Sequence, residues 1–327
     1  HHMSLLFVGS FTCLYEPAVS IDRTHPAVIQ LLAQLPLDMQ EKGVEAMLTE
    51  IKTLVELEFA QWSDVPSGRK VIPCRMVSKV KYHGDGSFDK VKMRCVVRGF
   101  LQRNGIDFGA IYSPACMLAT VRIMLTVAAT FGWKILQLDV RNAYCHGEMD
   151  RDMWVELPPG CKIPAPEYEA DVRNGKQPRN RALKLLKGLY GTHQGGKLWF
   201  ERYSSELMKQ GFKPCHYDPS LFQRQNDVTG KTTYVAVYVD DSIITSDDEE
   251  GISQISQHIM NLFGGTSGDL TSCLGLHLKY DRPNGRIEIR HTAFRQNIFD
   301  RFKLSSEIKS NSPYLADNKG IVWDDAR

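Results

Sequence analysis

The feature that most constrains this chain is the stretch YVAVYVDDSIITSDDEE, residues 234–250, in which two apolar runs surround Asp240 and Asp241. Both runs are short and rich in β-branched residues, which predicts the two strands of a buried hairpin. A two-residue hairpin turn favours Asn-Gly, Asp-Gly or Gly-X, because at least one central residue needs a positive φ. Two aspartates meet that need poorly and also repel each other. A local rule broken without a local gain is typical of a functional site.

The alternative is that the strands are shorter and that Asp240 and Asp241 sit in a hydrated loop. The runs VAVYV and SIIT are too apolar to be exposed, which favours a buried hairpin with the aspartates at its end. The acidic residues that follow, Asp247–Glu250, are interpreted as a solvated loop and as the favourable negative start of a helix.

A further carboxylate, Asp139, also ends an apolar strand, predicted over Ile135–Leu138. Carboxylates crowded at strand ends become stable when a hard cation neutralises them, and Mg²⁺ takes oxygen ligands together with water and substrate phosphates. Asp139 and Asp240 on neighbouring strands would let two ions sit ~4 Å apart and hold both oxygens of an in-line phosphoryl displacement. The residues alone therefore predict metal-assisted phosphoryl chemistry, which a metal-dependent nuclease would also perform.

The overall charge excludes a strong field for an acidic partner, because the formal net charge is only +2. A nucleic-acid binder would have to segregate its charges locally. The hairpin predicted for VIPCRMVSKVKYHGDGSFDKVKMRCVVRGF carries basic residues on both arms: Lys79, Lys81, Lys90, Lys92 and Arg94. A solvated edge and a phosphate contact explain this pattern equally well.

The eight cysteines are spread singly, which argues against a zinc site or a disulfide framework and fits a reducing compartment. No run approaches the ~20 apolar residues of a membrane span. Strands and helices alternate without a strict βαβ repeat, which predicts an α+β fold.

Helical spacing of apolar residues predicts a helix over Asp38–Trp62, and ATVRIMLTVAATF predicts a buried helix ended by Gly132. Further helices are predicted near Glu249–Phe263 and over Ala293–Phe302. Between them, Asn284-Gly285 predicts the turn of another hairpin.

Taken together and in order, these residues resemble the reverse transcriptases of copia-type LTR retrotransposons. YVDD (Tyr238–Asp241) resembles motif C of that family, and QLDVRNAYCHGEM (Gln137–Met149) resembles its motif A region. LYGTHQGGKLWF and KMRCVVRGFLQRNGIDF are similar to two further blocks. YVDD alone would be a weak signal, whereas the ordered set, from about Glu41 to Phe302, is specific.

The resemblance implies a right-hand polymerase architecture of fingers, palm and thumb, with the palm an antiparallel sheet backed by helices. The implied divisions are an N-terminal extension (1–40, with tag remains at 1–3), mainly fingers (41–132), palm with motif A (133–160), a fingers–palm connection (161–193), palm with motifs B and C (194–265), and palm end, primer grip and partial thumb (266–327). The 86 residues from Ser242 to Arg327 leave no room for a ribonuclease H domain of typical size, so we expect none.

The resemblance also implies catalytic roles for Asp139, Asp240 and Asp241. Together with the Val140 carbonyl they would bind two Mg²⁺ ions, with Mn²⁺ as a substitute. Asp139 and Asp240 would be the main ligands, and Asp241 the supporting one.

Contacts to the substrates are implied at matching positions. The residues implied to bind the incoming nucleotide are Arg94, Lys81, Tyr144, Gln194 and Gly195. Tyr144 would be the steric gate, because a ring under the sugar leaves no space for a 2′-OH. The residues implied to contact primer and template are Tyr238, Val239, Leu274 and Gly275.

The implied function is an RNA-directed DNA polymerase that extends a DNA or RNA primer with dNTPs, on RNA and also on DNA templates. Its partners would be the RNA template, the primer and the RNA/DNA hybrid, without a membrane, in cytoplasmic virus-like particles or the nucleus. Whether the chain is a monomer or a homodimer stays open. The alternatives are a polymerase that makes RNA, which Tyr144 disfavours, and a domesticated element kept for nucleic-acid binding, which the intact aspartates disfavour. Several positions depart from the family pattern, including Thr192-His193, Gly195-Gly196 and Cys145-His146.

Overall fold

The computed structural model describes residues 19–82, 87–164, 180–273 and 276–303. The predicted contacts at Leu274 and Gly275 lie outside these ranges, as does the centre of the HGDGS turn. The α-helices of the described ranges are α1 (Pro26–Leu32), α2 (Gln40–Glu56), α3 (Leu118–Phe131), α4 (Gly195–Lys209), α5 (Glu249–Phe263) and α6 (Thr292–Phe302). None of these helices is long and apolar enough to cross a membrane, within the ranges that the structure describes.

The strands of the described ranges form four sheets. They are β1 (Ser20–Ile21), β2 (Ala60–Asp64), β3 (Val71–Tyr82), β4 (Phe88–Val97), β5 (Lys134–Val140), β6 (Trp154–Glu156), β7 (Cys161–Lys162), β8 (Arg181–Leu185), β9 (Lys213–Pro214), β10 (Leu221–Gln225), β11 (Thr232–Tyr238), β12 (Asp241–Ser246), β13 (Gly265–Asp269), β14 (Ser272–Cys273), β15 (Leu276–Asp281) and β16 (Arg286–Arg290). The predicted mixture of helices and sheets is confirmed.

The largest sheet, called the central sheet below, has the order β13-β5-β12-β11-β10-β9 and is antiparallel throughout. α4 and α5 pack on one of its faces through large apolar side chains such as Trp199, Tyr203 and Phe263. α3 packs on the other face against Ile135 and Ile243. Because both faces are covered, residues 235–237 of β11 and 242–246 of β12 are buried, as the apolar runs predict.

A second sheet of five strands, in the order β2-β8-β6-β3-β4, packs against α2. Met47, Ile51 and Leu54 of α2 lie on the same side of the helix and are at most 1% exposed. β3 pairs in parallel with β6 and antiparallel with β4, which forms the free edge of this sheet. Two small sheets, β1-β7 and β14-β15-β16, complete the described fold.

Local signals predict several boundaries correctly. α3 ends at Gly132, which has a left-handed φ of 67°, and α5 spans the predicted residues with the Asp248 side chain accepting a hydrogen bond from the Gly251 amide. The Asn284-Gly285 hairpin forms between β15 and β16. The helix predicted over Asp38–Trp62 is wrong at its end.

That helix stops at Glu56, and Ala60–Asp64 forms β2 in full antiparallel register with β8. Glu58 adopts a positive φ of 53° between the two elements. No glycine or proline marks this break, because the pairing with a strand far away in sequence decides it.

Asp218 ties α3 to the central sheet. Its Oδ2 accepts hydrogen bonds from the Thr120 hydroxyl at 2.6 Å and the Met117 amide at 3.0 Å, while Oδ1 accepts from the Ser220 amide at 3.1 Å. The residue is only 3% exposed. Burial alone would raise the pKa of Asp218, but these hydrogen bonds outweigh it and hold the pKa below its ordinary value.

We expect Asp218→Ala to lower the free energy of unfolding by roughly 2–4 kcal/mol, because these three donors and the Cys116 thiol lose a buried charged acceptor. Urea denaturation measures this loss, with Asp227→Ala, an exposed aspartate of the same region, as the control. Since the folded pKa is lowered, the contribution of Asp218 is present above the ordinary aspartate pKa and is lost as pH falls through the lowered value. An equal loss in the two variants would contradict this role.

Candidate active site

The turn between β11 and β12 differs from the one expected. Tyr238 pairs with Asp241, so the two turn residues are Val239 and Asp240, and Asp241 is the first residue of β12. The positive φ of 57° falls on Val239, although β-branched residues rarely adopt it. Trp199 of α4 donates a hydrogen bond from Nε1 to the Val239 carbonyl at 2.6 Å. A contact from another element therefore holds a strained turn in place.

The fold brings the three aspartates together. β5 lies beside β12 with Asp139 directly opposite Asp241, so both side chains project from the same face of the central sheet. The Val140 amide donates to the Asp240 carbonyl at 3.0 Å and fixes the turn to the end of β5. Residues far apart in sequence thus form one carboxylate cluster, as expected.

The carboxylates of this cluster repel one another. Burial and then the charge of Asp240 raise the pKa of Asp139. Burial and the charges of Asp240 and Asp139 likewise raise the pKa of Asp241. A cation placed among these oxygens would remove the repulsion, and carboxylate oxygens are the donors that Mg²⁺ prefers.

The donor set therefore fits Mg²⁺ chemically, but it is incomplete without the substrate. Within the described ranges, no group of three or more His, Cys, Asp or Glu side chains is arranged to hold a metal ion. Mg²⁺ commonly binds through one or two carboxylates and completes its shell with water and phosphate oxygens. The carboxylate cluster suits this kind of coordination, in which one or two carboxylates share the Mg²⁺ ion with water and phosphate oxygens.

We expect Asp139→Asn to raise Tm by roughly 1–3 °C in metal-free buffer, because it removes one of the repelling charges. An acid whose folded pKa is raised costs stability as pH rises from the ordinary aspartate range through the raised value, so the gain is present at neutral pH and disappears in acid. Thermal unfolding at both pH values checks this result. A gain that persists below the ordinary aspartate pKa would contradict the electrostatic explanation.

A cleft of about 790 Å³ opens in front of the cluster. Its lining includes Asp139, Asp240 and the start of β13, together with residues of β4 and α2. The lining carries both signs of charge. β4 contributes Lys90, Lys92 and Arg94 beside Asp89, and α2 contributes Lys42, Glu45 and Glu50.

The β3–β4 hairpin presents its cations on one face. Lys79 lies directly opposite Lys92, and Lys81 lies directly opposite Lys90. Like charges directly opposite each other destabilise a sheet. Burial, with the charges of Arg94 and Lys81, lowers the pKa of Lys92, whereas Asp139 and Asp240 act in the opposite direction. This arrangement favours a bound polyanion over a merely solvated edge.

Lys92 is missing from the residues that the sequence predicts to bind the incoming nucleotide. Its period-two spacing with Lys90 and Arg94 could have identified it, since alternate residues of a strand share a face. Lys81, which the assignment includes, lies further towards the hairpin end, where its charge acts on Asp139. Arg94 stacks over the ring of Tyr190 at 4.8 Å, and its buried Nε has no hydrogen-bond partner among the described residues.

Tyr144 lies next to the cluster in a short 3-10 helix, Ala143–His146. Its ring packs on that of Tyr190 with centroids 5.1 Å apart. Burial and then the charge of Asp240 raise the pKa of Tyr144. The Tyr144 ring therefore lies against Tyr190 and near the charge of Asp240, although Tyr144 is not among the residues that line the cleft.

Gln194 lies away from the cleft. It is fully buried, its Nε2 donates to the Asp107 carbonyl at 3.0 Å, and its Oε1 accepts from Gln102 at 3.0 Å. Direct contact with a nucleotide would require the amide to leave both partners. Gly195 is also buried and does not line the cleft.

Comparison with known proteins adds the family. Residues 58–316 match the family described as reverse transcriptase (RNA-dependent DNA polymerase). The chain belongs to this family. It is 26% identical over 83% of its length to a retrovirus-related Pol polyprotein from transposon TNT 1-94 of Nicotiana tabacum. It is 36% identical over 56% of its length to the Pol polyprotein from transposon RE1 of Arabidopsis thaliana.

The Gag-Pol polyprotein of transposon Ty1-DR1 from Saccharomyces cerevisiae is 24% identical over 74% of the chain. These relatives confirm the copia-type assignment. The chain spans 19%, 12% and 13% of the three polyproteins. The chain also matches a telomerase structure from Candida albicans in complex with a TWJ fragment of telomeric RNA. The match covers 76% of this chain and 50% of the telomerase chain, with 8% sequence identity and a TM-score of 0.34.

One departure from the reverse transcriptase pattern has a steric explanation. A Cβ on Gly195 would lie 2.7 Å from Oγ1 of Thr192. That hydroxyl donates to the Leu189 carbonyl at 2.7 Å and is therefore not free to move. Threonine at position 192 and glycine at position 195 thus occur together for a physical reason.

Proposed function

We propose that this chain is the polymerase part of a copia-type reverse transcriptase, which extends a primer with dNTPs under the direction of an RNA template. The observation that carries the proposal is that Asp139 and Asp240 line the same cleft as Lys90, Lys92 and Arg94 of β4, with Asp241 paired beside Asp139. A triphosphate with its metal ions suits this cleft. The ions would supply positive charge to the aspartates, and the phosphates would supply negative charge to the cations of the hairpin.

Asp139, Asp240 and the Val140 carbonyl would hold two metal ions, Mg²⁺ or Mn²⁺, with Asp241 in a supporting role. Bound there, the ions would lower the pKa of the primer 3′-OH and neutralise charge on the triphosphate. Catalysis would then consist of positioning and charge neutralisation, for which rigid strand ends are well suited.

Arg94, Lys92 and Lys81 would bind the triphosphate. The unpartnered Nε of Arg94 supports this role, as do the opposed lysine pairs, whose repulsion a bound polyanion would relieve. Tyr144 would exclude a ribose 2′-OH. Gln194 and Gly195 would act indirectly, by shaping the turn that packs beneath Tyr144.

Under this proposal the five-stranded sheet and α2 would correspond to the fingers. The central sheet with α3, α4 and α5 would correspond to the palm. β14–β16 and α6 would begin the primer grip and thumb. The RNA/DNA hybrid would enter along the exposed end of β11, where Tyr238 is 38% exposed. We place the activity in cytoplasmic virus-like particles, with access to the nucleus.

The test is extension of a labelled DNA primer annealed to an RNA template, with Mg²⁺ and dNTPs. We expect stepwise full-length extension on RNA, extension on a DNA template of the same sequence, and little extension when NTPs replace dNTPs. A chain that binds primer–template but extends nothing with Mg²⁺ or Mn²⁺ would instead be a nucleic-acid-binding protein. Equal use of NTPs would favour a polymerase that makes RNA.

A further inference from the structure

β4 is the free edge of the five-stranded sheet, so its outward amides need partners from other elements. Two consecutive outward amides have them. The Cys95 amide donates to Oε1 of Glu50 at 3.0 Å, and the Val97 amide donates to the Tyr190 carbonyl at 2.8 Å. The edge of β4 is therefore fastened to α2 by a side chain and to the Tyr190 loop by a carbonyl.

Glu50 is an unusual residue for the place it occupies. It is 9% exposed and belongs to the face of α2 that also buries Met47, Ile51 and Leu54. Burial raises the pKa of Glu50, while the Cys95 amide and the charges of Arg94 and Lys92 lower it. A buried carboxylate is costly, and an apolar side chain would dock the helix equally well. Unlike an apolar side chain, the Glu50 carboxylate accepts a hydrogen bond from the backbone of β4, at Cys95.

That point adjoins Arg94. Arg94 immediately precedes Cys95, whose amide donates to Glu50. Its guanidinium stacks on the ring of Tyr190, and the Tyr190 carbonyl accepts from the Val97 amide. Both fastenings of the edge thus lie on the C-terminal side of Arg94, within three residues of it. If either is lost, β4 can shift, and a shift of about 1 Å is enough to spoil a pre-organised site.

We propose that Glu50 is a positioning residue of the nucleotide site, which anchors β4 at Cys95 and so holds Arg94 ready for the incoming triphosphate. The inference rests on the proposed function and extends it to a residue that lines the same cleft and acts through Arg94. It differs from a purely structural role because it predicts an effect on nucleotide affinity that acts through Arg94.

The experiment compares Glu50→Ala and Glu50→Gln in single-nucleotide primer extension. We expect Glu50→Ala to raise the KM for dNTP about tenfold while kcat changes less than about threefold and primer–template affinity is unchanged. Glu50→Gln is expected to stay within about threefold of the parent KM, since its amide oxygen can still accept from Cys95. Glu56→Ala is the matched control, because Glu56 is an exposed acid of the same helix that does not line the cleft.

A double-mutant cycle with Arg94→Ala decides how Glu50 acts. If Glu50 works through Arg94, the double variant is no worse than Arg94→Ala alone. An unchanged KM in Glu50→Ala, or a full additional factor in the Arg94→Ala background, overturns the proposal. Should Glu50→Ala fail to fold, Glu50→Asp and Glu50→Gln decide. The shorter acid is then expected to have the higher KM, and the reverse order overturns the proposal.

Failure of the proposed function is separable from failure of this inference. If the parent chain extends no primer, the proposed function fails, and the variants are then ranked by the Kd for Mg²⁺–dNTP from titration. The same order, with Ala weakest and Gln near the parent, is expected. Equal Kd values in all variants would refute the role of Glu50 in either case.

Discussion

Asp240→Asn is expected to slow single-nucleotide addition by about 10³-fold or more, with folding and primer–template binding retained. The amide keeps the size of the side chain but removes the charge that a metal ion would require. Asp240 also lies in the turn, where its carbonyl rather than its side chain fastens the hairpin to Val140. The substitution should therefore leave the local backbone intact, and pre-steady-state primer extension measures the loss.

Two further variants sharpen that test. Asp247→Asn, an exposed acid at the other end of the same hairpin, should extend like the parent. Asp241→Asn is expected to lose only about 10-fold, because Asp241 already shares a hydrogen bond with Gln137 and would support rather than bind the ions. If Asp240→Asn extended as well as the parent, the assignment of the metal ligands would be wrong.

The second large effect concerns the sugar. Tyr144→Ala is expected to reduce the preference for dNTP over NTP, measured as the ratio of kcat/KM values, by about 100-fold. The gain should lie in the use of NTPs, because the missing ring opens space for the 2′-OH. Competition between a dNTP and the matching NTP on one primer–template measures the ratio.

Tyr144→Phe serves as the matched variant, since it keeps the ring that packs on Tyr190 and loses only the hydroxyl. Selectivity like that of the parent is expected. Tyr112→Ala, at a tyrosine that is 77% exposed, controls for loss of a surface ring. Unchanged selectivity in Tyr144→Ala would remove the steric gate from this site.

Much of the fold could be predicted because its signals are local. Gly132 ends α3, Asn284-Gly285 turns a hairpin, and the apolar alternation of β3 and β4 is readable within each strand. The carboxylate cluster could be predicted because each aspartate lies at or next to one end of a strongly apolar strand. Those patterns depend on backbone geometry over a few residues, which the sequence states directly.

The parts that could not be predicted depend on contacts distant in sequence. The end of α2 is set by pairing of Ala60–Asp64 with β8. The burial of Gln194 is set by Gln102 and the Asp107 carbonyl. The position of the hairpin turn is set in part by the Trp199 indole at Val239. None of these contacts produces a periodic pattern in the sequence. The residues that support the site are therefore harder to predict than the aspartates at the strand ends.

The fastened edge of β4 also determines how this half of the molecule can move. A hairpin held at Cys95 and Val97 has its pivot at that point, so the segment beyond it, from Lys92 outward to Phe88, forms a lever whose base is fixed. If β4 bends when a substrate binds, Lys90 would move further than Lys92, and Arg94 would move least, because displacement grows with distance from the fixed end.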